Sequence, residues 1–306
     1  MVLEQQLLNG IFLGSIYALF AVGYTLVFGV LDVLNFAHSA VFTLGAVFTY
    51  SLVVLHGQSF WIAAGISTAS CGLLGLVIEF VALRPLRRRS APGISALIST
   101  IGLALILVAI IEQATPGSAL TWLWRDGANS VKYPTGSVPN PVYHVAGLTL
   151  EGTKVAILAV SIGLMLLLGY VIRFTQMGRA LRAVAENPNA ALLLGIDVDA
   201  VFAFTLILSS ALGGLAGILF GVALSDISPY IGRDQLELRG LAVIVLGGMG
   251  SIAGAVVGGY LLGLLEVAII VLGYTNLRAG IAFAALFLML VLRPQGLFGS
   301  RVHERV

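Results

Sequence analysis

Long apolar runs recur along the chain, and they constrain its fold more than any other feature. Such runs lie at roughly 8–30, 39–55, 60–83, 94–113, 154–173, 198–224, 252–272 and 277–293. A helix that crosses the hydrocarbon core of a bilayer needs about 20 predominantly apolar residues. A transmembrane barrel would instead show alternating segments of about 10 residues. The runs therefore predict an all-α fold, a polytopic transmembrane helix bundle of about 8–9 spans.

Composition supports a membrane protein and weakens other classes. The 306 residues are 59% hydrophobic and 10% charged, whereas soluble domains are about 25% charged. The net charge of +2 gives no reason to expect a nucleic-acid partner. Cys71 is the single cysteine and lies in an apolar run, without a disulfide partner or metal-ligand spacing. No change in composition marks a soluble domain, so residues 1–306 are expected to form one membrane domain.

The placement of arginine predicts the orientation of the spans. Basic residues concentrate in three segments: Arg84, Arg87, Arg88 and Arg89; Arg173, Arg179 and Arg182; Arg293, Arg301 and Arg305. Short loops rich in Arg and Lys stay in the cytoplasm. Two spans separate the first two segments, so both are expected to be cytoplasmic. The C-terminal tail is cytoplasmic only if an odd number of crossings follows residue 224. That number depends on whether the short apolar piece 238–251 crosses as a span, or forms a half-helix or re-entrant segment.

The segment 114–153 is then expected on the outer side. It contains four prolines and two tryptophans: Pro116, Pro134, Pro139, Pro141, Trp122 and Trp124. One interpretation is an irregular but ordered segment that caps the bundle. The other is a linker whose aromatic residues lie in the membrane interface.

Small residues recur every four positions in several spans: Gly10, Gly14 and Ala18; Gly213, Gly217 and Gly221; Gly250, Gly254 and Gly258, with Gly259 and Gly263 beyond. Residues four apart share a helix face, and glycine there lets another backbone approach closely. We expect static packing at these faces. Sliding or hinging of the faces during transport is the alternative.

Few ionisable residues lie inside the spans, where they are costly and often functional. Asp32, Asn35 and His38 are three residues apart, so on a helical turn they would share one face. They are candidates for a proton relay or a substrate contact. We favour the other interpretation, in which they satisfy backbone groups at a broken helix or turn near the cytoplasmic side. Glu266 lies deep in a span and needs a partner, for which Arg278 is a candidate.

Catalytic and metal-binding patterns are absent from the sequence. It contains no Gly-x-Ser-x-Gly, no His-Glu-x-x-His and no phosphate-binding Gly-Lys-Ser/Thr. His56 and His144 lack ligand spacing with another histidine or acid, so no metal site is expected. A membrane enzyme is therefore a poor hypothesis.

The stretch 173–198, RFTQMGRALRAVAENPNAALLLGIDV, interrupts the apolar sequence with charges, yet it has a helical pattern. Met177 to Glu186 consists of good helix formers. Pro188 disfavours the α conformation at Asn187 and can itself begin a second helix. Gly195 is a natural C-cap. Small residues flanked by charges fit a helix that docks in a groove on a partner. A helical hairpin that only caps the bundle is the alternative.

This stretch resembles the coupling loop of ABC importer permeases of the branched-chain (hydrophobic) amino-acid class, through the pattern Gly-Arg-Ala-x-Arg-Ala-x-Ala-Glu followed by Ala-x-Leu-x-Gly-Ile. LNGIFLGSIYALFAVGYTLVFGVLDVLNFAHS, ISPYIG, VLGGMGSIAGAVVGGYLLGLLE and RPQGLFG are similar to further family motifs, in the same order. The chain resembles the LivH-type subunit more than its larger partner. Ser39 departs from the Gly usual at that position, and the segment 114–153 matches no family pattern.

The resemblance implies a permease subunit of an ATP-driven importer that works by alternating access. It implies ATPase coupling by Gly178, Arg179, Ala180, Arg182, Ala183, Glu186, Asn187, Ala190 and Gly195. Candidate pathway or hinge residues are Asp32, Asn35, His38, Gly247, Gly248 and Gly250. The implied substrates are neutral branched-chain or hydrophobic amino acids. A related urea or short-chain amide importer is the alternative. A stand-alone secondary transporter is less favoured, because Glu266 and Asp32 are few acids for an ion site.

The resemblance also implies partners: a second homologous permease subunit, two cytoplasmic ATPase subunits, an external solute-binding protein and the lipid bilayer. ATP and Mg would bind the ATPase subunits, and this chain would bind no cofactor and catalyse no reaction. The expected location is the bacterial plasma (inner) membrane, with many crossings and a cytoplasmic C-terminal tail.

Overall fold

A computed structural model describes residues 2–89, 91–133, 138, 140–145 and 148–299. Its α-helices are α1 Val2–Leu31, α2 Ala37–Tyr50, α3 Phe60–Ile78, α4 Arg84–Arg88, α5 Gly93–Glu112, α6 Gly152–Phe174, α7 Gln176–Glu186, α8 Pro188–Leu193, α9 Val198–Leu224, α10 Leu238–Gly247, α11 Ile252–Val271 and α12 Arg278–Leu292. π-Helical stretches lie at Ser51–Leu55, Glu79–Leu83 and Gly232–Glu237, and a 3₁₀ turn lies at Thr275–Leu277. The strands β1 Val142–Val145 and β2 Leu148–Glu151 pair antiparallel, with Tyr143 opposite Leu150.

The predicted helix bundle is confirmed. Within the described residues, 8 helical segments are long and apolar enough to cross a membrane, and each corresponds to one predicted span. The third of them runs from Phe60 to Arg88 because a π-helical stretch joins α3 to α4 without a break. The hairpin of β1 and β2 was not expected from the sequence.

Helix α1 forms the centre of the bundle, and its closest neighbour is α11. Gly14 lies against the backbone of Tyr260, and Gly259 lies against the backbone of Ala18. A side chain at either glycine would meet backbone atoms of the facing helix. The small-residue face of α1 therefore sets the distance between the two helices, as the spacing predicted.

The short apolar piece 238–251 contributes helix α10, which continues the π-helical stretch before it. Gly250, beyond the C-terminal end of α10, lies beside Gly29 near the end of α1. There the tail pairs with the helix: the backbone N–H of Leu297 donates to Leu246 O at 2.9 Å, and that of Phe298 to Gly247 O at 2.8 Å. The tail up to Gly299 thus lies at the turn between α10 and α11. This turn also borders the hairpin of α7 and α8. Arg301 and Arg305 lie outside the described residues.

The opposite end of the bundle is covered by parts of the segment 114–153. Trp124 is fully buried against Tyr50, and its indole donates to Gly127 O at 2.9 Å. Val131 forms a β-bridge with Ile227. These contacts fit a segment that caps the bundle, whereas Trp122 is 59% exposed, as a residue of an interfacial belt would be. Pro134 and Pro139 lie outside the described residues.

Candidate functional site

The helical hairpin of α7 and α8 leaves α6 through a sharp elbow. Thr175 caps α7, because its hydroxyl accepts a hydrogen bond of 3.0 Å from Gly178 N. Gly178 is buried, and a Cβ there would overlap the carbonyl oxygens of Val171 and Ile172. The side chain of Arg182 also donates to Ile172 O, across the elbow. The glycine and these bonds hold α7 folded back against the end of α6.

The turn between α7 and α8 has the predicted conformation. Asn187 is extended, with φ −156° and ψ 103°, and its side chain accepts 3.0 Å hydrogen bonds from Asn189 N and Ala190 N. Pro188 begins α8. Gly195 has φ +81°, and Ile196 N donates to Ala191 O at 3.1 Å, which closes the helix with a Schellman motif. The hairpin is therefore ordered by its own sequence at both turns.

The hairpin has one face toward the bundle and one face away from it. Leu181 and Val184 are buried in the main core, and Ala180 and Ala183 are half-buried against it. The outward positions are Arg179, Arg182, Glu186, Asn187, Ala190 and Gly195. Ala180 and Ala183 thus pack within this chain, and the outward positions stay candidates for coupling to an ATPase subunit.

An apolar tip lies at the end of α8. Leu192, Leu193 and Leu194 are 62%, 88% and 80% exposed. Large side chains this exposed, side by side and outside the membrane spans, are typical of a surface that a partner covers. The sequence analysis did not single them out, although the run LLL between two polar turns was a usable signal.

An ionic cluster lies near the hairpin, where α4 meets α9. Asp199 accepts hydrogen bonds from Arg84 Nη2 at 2.7 Å and from Arg87 Nη2 at 2.6 Å. Arg87 Nη2 also donates to Glu79 Oε1 at 2.7 Å, and its guanidinium stacks on Phe202 at 4.2 Å. Arg84 and Arg87, whose placement predicted a cytoplasmic loop, thus also connect α4 to α9 through Asp199.

The helical turn that would place Asp32, Asn35 and His38 on one face does not form. Asp32 has φ +53°, which ends α1, and residues 32–36 are not helical. Asp32 lines a cavity of about 830 Å³ beside the hairpin, together with Arg87, Asn189 and Gly250. Asn35 and His38 are buried elsewhere. Asp32 therefore does not join them in one site.

The favoured interpretation of a broken helix or turn is correct for Asn35, but the depth of this break in the bundle was not expected. Asn35 Oδ1 accepts a 3.2 Å hydrogen bond from the backbone N–H of Ala37, the first residue of α2, while its buried Nδ2 has no hydrogen-bond partner among the described residues. His38 Nε2 lies 3.2 Å from Phe20 O, and its Nδ1 lies 3.4 Å from Ser209 Oγ. Phe20 lies 11 residues before the end of α1, or about 16 Å along the helix. Helix α2 therefore begins deep in the bundle rather than near its surface.

Gly247 is the last residue of α10, and Gly248 and Gly250 lie in the turn between α10 and α11. Gly248 and Gly250 have φ of +107° and +82°, and Gly248 contacts the backbone of Gly299. A positive φ favours glycine, so the backbone conformation alone accounts for glycine at positions 248 and 250. Whether this turn acts as a hinge stays a prediction.

The predicted partner of Glu266 is correct. Arg278 Nε lies 2.7 Å from Glu266 Oε2, and Tyr17 also donates to Oε2 at 2.9 Å. Arg239 Nε lies 2.6 Å from Oε1 and was missed. A second missed residue is Glu237, which accepts a 3.1 Å hydrogen bond from Ser39 Oγ. In LELRG, two charges at the start of an apolar run were the available signal for both.

The described residues contain no group of three or more His, Cys, Asp or Glu side chains that could hold a metal ion. The side chain of His144 lies outside what the structure describes.

The spans and the polar groups within them define a multi-pass membrane protein with an ordered helical hairpin at one end. The sequence profile of the family described as "Branched-chain amino acid transport system / permease component" matches residues 6–292. The chain therefore belongs to this permease family, as its motifs predicted.

Named relatives agree with the family. The chain is 36% identical over 239 residues to the "High-affinity branched-chain amino acid transport system permease protein LivH" of Salmonella typhimurium, covering 74% of this chain and 73% of the relative. It is 35% identical over 241 residues to LivH of Escherichia coli K12, with the same coverage. The permease protein BraD of Pseudomonas aeruginosa is 32% identical over 241 residues, covering 74% of each chain.

Proposed function

We propose that the chain is the membrane permease subunit of an ATP-driven importer for branched-chain and other neutral hydrophobic amino acids. Family membership and the names of its relatives support this substrate class over urea or short amides. ATP hydrolysis would take place on separate subunits. An external binding protein and a second permease subunit would complete the assembly.

The ordered hairpin with its apolar tip is the observation that carries the proposal. A transporter that works alone has no need for an ordered hairpin that leaves the side chain of Leu193 88% exposed. A partner that covers this tip would bury apolar area. Because Leu181 and Val184 of α7 pack in the main core, a displacement of the hairpin would also displace core residues. The ATPase subunit is the partner that we assign to it.

Orientation follows from the same assignment. The hairpin and the cluster of Arg84 and Arg87 would face the cytoplasm, in accord with the placement of arginine. The tail up to Gly299 is hydrogen-bonded to the C-terminal end of α10, at the same end of the bundle as the hairpin, so it would be cytoplasmic as well. The α1 end near Gln5, which bonds to Thr149, would face outward.

The test is uptake into proteoliposomes by the complete complex with leucine-loaded binding protein. We expect ATP-dependent leucine uptake that excess alanine or proline reduces, and that urea and glutamate leave unchanged. Uptake without ATP, or stronger competition by urea than by any amino acid, would contradict the proposal. Omitting the ATPase subunits supplies the matched control.

A further inference from the structure

A small amphiphilic cavity lies where the start of α2, the middle of α5 and the π-helical stretch before α10 meet. It has a volume of about 80 Å³ and is lined on one side by Ser39, Arg233 and Glu237, and on the other by Ile101, Leu105 and Val108. This volume suits a few water molecules or the polar head of a small solute.

Glu237 differs from Glu266 because it forms no salt bridge with the described residues, although Arg233 lines the same cavity. It accepts a hydrogen bond of 3.1 Å from the hydroxyl of Ser39, and within the described residues no Arg or Lys side-chain nitrogen lies within 4.0 Å of its carboxylate oxygens. Glu266, by contrast, has two arginines. A half-buried carboxylate at membrane depth that makes no direct ion pair is costly. It is therefore a site where a cationic group would bind favourably.

The depth of the cavity follows from its neighbours. Ser39 is next to His38, which contacts the middle of α1, and Gly232 N donates to Thr43 Oγ1 at 3.0 Å. Arg233 and Asp234 follow Gly232 directly, and their side chains are 50% and 55% exposed. Charged side chains at this depth face water or protein rather than lipid. This face of the bundle is thus part of a water-lined path or of the contact with another subunit.

The cavity combines three chemical features in one place. Glu237 can accept an ammonium group, Arg233 can donate to a carboxylate at the open side, and the wall of Ile101 and Leu105 can contact an alkyl side chain. Arg233 is held by Asp234 Oδ1 through its Nε at 3.1 Å, which leaves both terminal amino groups of the guanidinium for a ligand. An α-amino acid with an apolar side chain carries the complementary groups.

We propose that this cavity is a binding site for the zwitterionic head of the transported amino acid, with Glu237 binding the α-ammonium and Arg233 the carboxylate. The inference rests on the proposed function, and it adds the residues that contact the substrate inside the membrane domain.

The first test measures uptake per assembled complex in proteoliposomes, normalised to the co-purified ATPase. Loss of a charge-assisted bond costs about 1.5–3 kcal/mol, which corresponds to at least about a 10-fold change. We expect a fall of this size for Glu237→Gln. Asp226→Asn removes the same charge from an exposed loop position outside the cavity, and uptake should stay within about 2-fold. Failure of wild-type leucine uptake would overturn the proposed function, whereas wild-type rates in Glu237→Gln would overturn only this inference.

The second test uses cysteine labelling and does not depend on transport. Leu105 and Ile106 are 54% and 57% exposed, but only Leu105 lines the cavity, and the native Cys71 is buried. We expect Leu105→Cys to react faster with a cationic than with an anionic methanethiosulfonate reagent, a preference that Glu237→Gln reduces. Ile106→Cys should show no such dependence on Glu237. Absence of labelling at Leu105→Cys, or an unchanged preference in Glu237→Gln, would overturn the inference.

Discussion

Arg239 donates from Nε to Oε1 of Glu266 at 2.6 Å, and the side chain of Glu266 is completely buried. The bond joins α10 to α11, while Arg278 brings α12 to the other oxygen of the same carboxylate. One acid thus links the last three helices of the bundle.

Removing this acid should destabilise the protein severely. Glu266→Ala leaves Arg239, whose side chain is 10% exposed, without its counter-ion. Breaking a buried ion pair on one side costs about 3–5 kcal/mol. We expect a clearly lower Tm of the detergent-purified protein. Glu151→Ala breaks the partly exposed pair with Lys154, worth about 0–1 kcal/mol, and should leave Tm nearly unchanged. Equal Tm values for both variants would contradict the prediction.

Arginines of the segment 84–89 should differ in their importance for stability. Arg87→Ala leaves Glu79, which is 1% exposed, without a cation and should cost about 3–5 kcal/mol. Arg88 is 66% exposed and lies 3.5 Å from Asp199, so Arg88→Ala should cost about 0–1 kcal/mol. The measurement is the amount of folded protein after a temperature ramp, monitored by size-exclusion chromatography. A larger loss for Arg88→Ala would refute the assignment.

The elbow at Gly178 should not accept even a methyl group. Gly178→Ala places Cβ on the carbonyls of Val171 and Ile172, and overpacking of this kind costs about 1–3 kcal/mol. We expect inserted protein whose hairpin is displaced, with reduced uptake and reduced ATPase co-purification. Gly169→Ala is the matched control in α6, since nothing lies within 4 Å of its Cβ position. Normal uptake in Gly178→Ala would show that the hairpin position is not critical.

The apolar tip should be needed for assembly. Leu193→Arg puts a charge at a side chain that is 88% exposed in this chain, so the fold should tolerate it. At an interface, loss of such an anchor costs about 2 kcal/mol or more, or over 10-fold in affinity. We expect much less co-purified ATPase from co-expressing cells, with unchanged Tm of the permease. Leu193→Met keeps the apolar contact and should assemble normally. Full retention of the ATPase by Leu193→Arg would remove the tip from the interface.

Features set by local sequence were predictable. Asn187, Pro188 and Gly195 impose a turn, a helix start and a helix end through their own backbone preferences, and the structure has all three. The spans and the close approach of Gly14 and Gly259 followed from periodicity for the same reason.

Features set by tertiary contacts were not predictable to the same degree. The spacing of Asp32, Asn35 and His38 favoured a helical face, but Asp32 takes the left-handed conformation that a short polar side chain tolerates. Arg239 reaches Glu266 from another helix, 27 positions away. The charges in LELRG marked Glu237 as unusual, but its hydrogen bond with Ser39, 198 positions away, depends on the fold.

The interlocked crossing of α1 and α11 limits how this bundle can rearrange. A slide by one helical turn, about 5.4 Å, would bring Val22 to the place where Ala18 now meets the backbone of Gly259. That gap has no room for a branched side chain. We therefore expect the two helices to stay packed and to move together, so that a rearrangement of the bundle would take place at other helix contacts.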